Sequence, residues 1–120
     1  MPLYVEVVVI GPFKPELLQH YEYPAEYYDR CALTAPMVRT LFGIVEGSGA
    51  GRDFASALGI DDVWDFNKHK IDQASIDFST LQAVLEGLAG WTEDDGYRRD
   101  LESFKAFVAA GYDLYFIPNG

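Results

Sequence analysis

Apart from its carboxylates, the chain holds few residues with strong nucleophilic, general-base or metal-ligating habits: Cys31, His20 and His69. Cys31 and His20 would make a thiol–imidazole pair if the fold joined them. A reactive thiolate needs an electropositive, partly exposed setting. Glu22, Glu26 and Asp29 precede Cys31 in the same segment and disfavour that ion. Cys31 therefore reads as a small, semi-buried side chain beside a helix start. His69 lies in Asn67-Lys68-His69-Lys70, where flanking lysines disfavour a bound cation and no second histidine is local. Metal ligands come at close, repeated spacings, so this segment reads as a solvated turn. No catalytic residue, metal or cofactor is expected.

The run Gly47-Ser48-Gly49-Ala50-Gly51-Arg52 has closely spaced glycines of the kind that let backbone N–H groups approach phosphate. A dinucleotide fingerprint needs a strand before it, a helix after it and an acid about 20 residues on. Here the preceding segment has helical periodicity, the spacing is GxGxG, and no Lys-Ser or Lys-Thr follows. The run reads as a flexible loop, and a strand over Leu41–Glu46 would reopen the question. Carboxylates are plentiful: Asp61 with Asp62, Glu93 with Asp94 and Asp95, Asp100 near Glu102. Glycosidase-type chemistry needs two of them opposed across a cleft. Neighbours in one turn do not provide that. Glu93 to Asp95 read as charge favouring the positive end of the helix that follows. Asp61 and Asp62, with Asp65 close by, read as caps or as acids facing a partner.

The most suggestive local feature is aromatic. Tyr21, Tyr23, Tyr27 and Tyr28 are interleaved with Glu22, Glu26 and Asp29. Tyrosine is enriched at interfaces because its ring brings contact area while its hydroxyl keeps a hydrogen bond. Rings beside carboxylates suit Lys- or Arg-rich surfaces through cation–π and charge pairing. The same rings could instead close the edge of a core, and composition leaves that choice open. The partner-facing set is Tyr21, Glu22, Tyr23, Glu26, Tyr27, Tyr28 and Asp29, with Asp61, Asp62 and Asp65.

Charge points the same way. The chain has 19 acidic against 9 basic residues, a formal net charge of −10. Such a field repels nucleic acid and anionic lipid and attracts basic partners. Direct nucleic-acid contact and membrane association are therefore not expected. A basic protein partner is expected, and a homodimer remains compatible with it. At 120 residues, 49% hydrophobic and 23% charged, the chain suits one folded domain. Cys31 is the lone cysteine, so no intrachain disulfide forms, which suits a reducing compartment. The first apolar run lacks a basic start, is interrupted by Glu6 and is too short to span a bilayer. A cytoplasmic protein is the expectation.

The elements that must position these residues follow from local pattern. Leu3 to Ile10 is β-branched and closed by Gly11-Pro12, which predicts a strand. Both of its faces are apolar, so it should be central or have its second face covered. Pro15 starts a short helix through Leu17, Leu18 and Tyr21. Thr34 to Glu46 has Val38, Leu41, Phe42 and Val45 at helical spacing and predicts a helix capped by Thr34. A helical turn over Phe54–Leu58 follows. Ala74, Ile76 and Phe78 alternate with polar residues and predict a short strand. Ser79 and Gln82 form a capping-box pattern ahead of a helix to Leu88. A last helix over Tyr97–Ala110 ends at Gly111, and Tyr112 to Ile117 is the final strand. The order predicts a single α+β domain, its small sheet holding the first and last strands as neighbours under three to four helices.

In size, charge and lack of catalytic groups the chain resembles small acidic bacterial immunity proteins. The resemblance implies an inhibitor that neutralises a basic toxin or a nucleic-acid-directed partner. A small enzyme or ligand-binding domain is the alternative, and would require a cavity with convergent polar groups. An oligomerising structural module is the third reading.

Overall fold

The expected first strand forms and is central: Leu3–Ile10 is β1 of a computed structural model that describes residues 3–29, 36–46, 49–60, 69–91 and 96–119. Antiparallel to it on one side runs β2 (Met37–Glu46), and on the other β4 (Asp113–Asn119). A two-residue strand β3 (His69–Lys70) completes the order β2-β1-β4-β3. The first and last strands pair over Tyr4–Asn119 to Ile10–Asp113, as expected. Among the described residues four α-helices accompany the sheet: α1 (Ala25–Asp29), α2 (Ala50–Ala57), α3 (Phe78–Glu86) and α4 (Tyr97–Ala109). The same residues hold two 3-10 helices, Pro15–His20 and Gln73–Ser75. The fold is α+β.

β2 corrects the helix expected over Thr34 to Glu46; residues 30–35 lie outside the described set. Its pairing with β1 is irregular at two places: Ile10 faces Met37 but Val9 faces Arg39, and Val7 faces Leu41 but Val5 faces Ile44. Each irregularity adds a residue to β2, as a β-bulge does. The buried positions Val38, Leu41 and Ile44 thereby fall three apart. Bulges had counterfeited a helical period. At the second bulge Phe42 has φ of 61°, a left-handed conformation that non-glycine residues rarely adopt.

Helices α2, α3 and α4 lie over one face of the sheet. Val5, Val7 and Val9 of β1 point into it, meeting Phe54, Phe104, Phe107 and Phe116, all fully buried. Burying each such ring contributes about 2 kcal/mol relative to exposure, so this side holds the fold together. Phe42 packs edge-on against Phe54 and Phe104, with ring centroids 5.3 and 5.5 Å away.

Side-chain caps explain two further corrections. Asp72 accepts from the Ala74 amide, and Asp77 accepts from the amide and hydroxyl of Thr80. These local bonds set a 3-10 turn and then the start of α3 where alternation had suggested a strand. The cap of α3 is thus Asp77, two residues before the expected Ser79. His69 and Lys70 sit in β3 opposite Phe116 and Tyr115, not in a solvated turn. Gly111 behaves as expected. At φ of 79° it ends α4, while the amides of Gly111 and Tyr112 bond to the carbonyls of Val108 and Phe107. No helix among the described residues is long and apolar enough to cross a membrane.

The outer edge of β2 is closed by side chains and one backbone amide rather than by another described strand. The Val38 carbonyl accepts from the Glu22 amide at 3.0 Å and the Tyr28 hydroxyl at 3.1 Å. Farther along, the Phe42 amide donates to Asp100 at 3.2 Å, and the Gly43 carbonyl accepts from the Tyr97 hydroxyl at 2.9 Å. An edge blunted in this way resists pairing with a foreign strand.

Candidate functional site

The tyrosine segment follows the first 3-10 helix and continues into α1, alongside the edge of β2. Its four rings divide into two pairs. Tyr21 and Tyr28 are buried, at 6% and 5% exposure, whereas Tyr23 and Tyr27 are exposed at 42% and 50%. Spacing accounts for the split: in a helical turn Tyr27 and Tyr28 point in different directions, and only Tyr28 faces the sheet.

The buried pair is held by hydroxyl chemistry. The Tyr21 hydroxyl accepts from the Lys14 amide at 2.7 Å and lies 2.5 Å from the Tyr112 hydroxyl. Tyr112 in turn donates to the Pro12 carbonyl at 2.5 Å. Burial, reinforced by the hydrogen bond with Tyr21, pushes the Tyr112 phenol well above its ordinary pKa. Burial likewise raises Tyr28, whose hydroxyl donates to the Val38 carbonyl and accepts from the Tyr23 amide. Neither phenol is available as a base or nucleophile near neutral pH.

From this anchor a chain of rings leads outward. Phe107 stacks on Tyr21 at 6.1 Å, Tyr21 meets Tyr28 edge-on at 4.9 Å, and Tyr28 meets Tyr27 at 5.1 Å. Tyr27 and Tyr23 end it in solvent with centroids 4.5 Å apart. Glu22 and Glu26 are exposed beside them. Leu18, in the preceding 3-10 helix, is exposed as well. Of the expected partner-facing residues, the structure brings Glu22, Tyr23, Glu26 and Tyr27 together on the surface. Tyr21 and Tyr28 are corrections: their rings are core, as the buried position of each shows. The Asp29 side chain and Asp61, Asp62 and Asp65 lie outside the described residues, as do Cys31 and Glu93 to Asp95.

Sequence reasoning missed the partner of His20. Its Nδ1 lies 2.9 Å from the hydroxyl of Ser103, the one polar side chain of the described core. The ring packs edge-on against Phe107 at 6.0 Å, and the His20 carbonyl accepts from Arg39. Burial first, then the Arg39 and Arg99 charges, lower the His20 pKa, with Glu102 opposing. A serine–histidine contact suggests a nucleophile, but Ser103 has no exposed surface and the nearby carboxylate Asp100 is held by Arg39 and the Phe42 amide. The contact tethers the 3-10 helix to α4. The α4 position of Ser103, on the same stripe as Phe104 and Phe107, carried no sign of this role.

The glycine run sits between a strand and a helix after all, since β2 precedes it and α2 follows. Gly47 and Ser48 lie outside the described residues, and Gly49 caps α2 at φ of 84° without a side-chain bond. Phosphate crevices of the dinucleotide type open between parallel strands, whereas β2 is antiparallel to β1. Asp53 also places a negative charge in the first turn of α2. The order is right and the setting is not.

A wide groove of about 540 Å³ runs between Lys70–Gln73 and Gly111–Leu114. Its polar groups are engaged locally: Lys70 pairs with Asp113 at 3.3 Å, Gln73 donates to the Val108 carbonyl, and Asp72 caps a turn. They do not converge on a substrate. Among the described residues no cluster of three or more His, Cys, Asp or Glu is placed to hold a metal ion. No protein-family model, curated protein or solved structure matches the chain.

Proposed function

We propose that the chain is an acidic protein-binding module, of inhibitor or immunity type, that neutralises a basic partner such as a toxin or a nucleic-acid-directed protein. The observation that carries this reading is the exposed Tyr23–Tyr27 ring pair at 4.5 Å, flanked by the exposed Glu22 and Glu26. Two adjoining ring faces and two carboxylates are what an Arg or Lys side chain is drawn to. The buried Tyr21 and Tyr28 brace the pair from beneath, so its ordering cost is met before a partner arrives. The net charge of −10 would speed encounter with a cationic surface and make the complex weaken steeply with salt.

The test is affinity capture from the native cell extract by the wild-type chain and by the Tyr23→Ala/Tyr27→Ala double variant. The two have identical charge. Basic proteins retained by the wild type at low salt, released by a salt step and missing from the variant support the reading. The same proteins retained equally by both would reduce it to unspecific charge attraction and overturn it.

A further inference from the structure

The second face of the sheet is largely apolar along its middle, and no described helix covers it. Tyr4, Val8 and Ile10 of β1 point that way, and register places Tyr115 and Ile117 of β4 and Met37 of β2 beside them. Val8, Ile10, Tyr115 and Ile117 line a shallow groove of about 230 Å³. Met37 and Tyr4 at its margins are 42% and 36% exposed. Antiparallel sheets that face water on one side show polar residues there. Here the outward positions of β1 read Tyr, Glu, Val, Ile, the pattern of a strand covered on both faces.

The charges say what covers it. In a chain of net charge −10, the described residues of this face carry the charges of Glu6, Asp113 and Lys70, and Lys70 already holds Asp113 at 3.3 Å. Among them Glu6 is left unbalanced. A basic partner finds little to complement here, whereas the face is where two copies of so acidic a chain meet with least repulsion. An apolar stripe is also complementary to itself across a two-fold axis, which needs no opposite charge. We propose that this face is the contact of a homodimer, two sheets packing through Val8, Ile10, Tyr115 and Ile117. Val8 is 9% exposed and Ile10, Tyr115 and Ile117 are half-buried, so the contact is small and the dimer is a weak one.

The test is sedimentation velocity on the wild-type chain from micromolar to millimolar concentration, at low and high salt. Weight-average mass rises toward the dimer with concentration, and rises further at high salt because screening removes the repulsion. That salt response is opposite in sign to the one expected for a basic partner. Ile10→Lys/Ile117→Lys, checked for folding by circular dichroism, weakens association at least about tenfold, because it buries unpaired charge. Concentration-dependent amide shifts in the wild type fall on β1 and β4, a readout that needs no variant. Tyr23→Ala/Tyr27→Ala leaves the dimer intact, so the two surfaces fail or survive separately. A monomer at the highest concentration in high salt would overturn the proposal. So would a dimer whose shifts map to the tyrosine segment, or one that the folded lysine variant still forms.

Discussion

The carboxylate of Asp100 holds the amide of Phe42 at 3.2 Å with one oxygen and the Arg39 guanidinium at 2.8 Å with the other. One side chain in the first turn of α4 thus stabilises a left-handed residue at a bulge in β2 and the arginine three positions before it. The Arg39 and Asp100 side chains are each 17% exposed, so the pair is shielded from solvent. Without it the strained backbone of Phe42 would lose the acceptor of its amide.

Asp100→Ala should therefore cost about 2–3 kcal/mol, since it strips a charged hydrogen bond and leaves a shielded arginine unpaired. Asp100→Asn, which can still accept from the Phe42 amide, should cost roughly half as much. Urea denaturation of both variants checks the ranking. Equal losses would mean that the backbone bond contributes nothing.

The two glycines around Tyr112 are needed for different reasons, and alanine separates them. A Cβ at Gly11 would lie 2.6 Å from the Tyr112 ring, which is buried and bonded through its hydroxyl. Gly11→Ala should cost about 1–3 kcal/mol by overpacking. A Cβ at Gly111 meets nothing within 4 Å, but its φ is 79°. Gly111→Ala should cost about 1 kcal/mol from backbone strain alone. Replacing Tyr112 by Leu should relieve the first and leave the second unchanged, as thermal melts would show.

The split within the tyrosine cluster predicts opposite behaviour for neighbours in sequence. Tyr23→Ala and Tyr27→Ala should change stability by no more than about 0.5 kcal/mol, as exposed substitutions do. Tyr28→Phe and Tyr21→Phe should each cost about 1 kcal/mol through a lost buried hydrogen bond. Tyr21→Phe combined with Tyr112→Phe should fall short of additivity, because the two hydroxyls share one bond. Chemical denaturation of the single and double variants measures this.

His20 predicts a pH dependence with a definite sign. Its folded pKa is depressed, by burial first and by Arg39 and Arg99 next, so the unfolded chain takes up the proton more readily. Stability from this group is fully present above the unfolded value near 6.5 and is lost as pH falls from there through the folded value. The urea midpoint of the wild type should drop across that window more than that of His20→Gln. Parallel curves would mean that the Ser103 tether does not depend on an uncharged ring.

Much of the architecture was legible in the residues. β1 and β4 announced themselves by β-branched and aromatic runs too short to be anything but strands, and α4 by its apolar stripe and terminal Gly111. Local chemistry is enough for such elements, because their hydrogen bonds and their periodicity agree. β2 was hidden for a physical reason: a bulge shifts strand alternation by one, and two bulges convert a period of two into a spacing of three. Only pairing with β1 reveals that.

The candidate site divides along the same line. An acidic, tyrosine-rich segment after the first strand is a property of the chain itself, as is the net charge of −10. Which rings face solvent is not, since Tyr21 and Tyr28 become core where the folded chain brings Tyr112, 91 positions from Tyr21, and the nearer Pro12 and Val38 to their hydroxyls. Likewise His20 found Ser103 across 83 positions of sequence. Composition and local pattern determine which groups a chain possesses and which elements it can form. Burial is a contest among remote partners for the same space and the same hydrogen bonds, and the tertiary structure alone decides it.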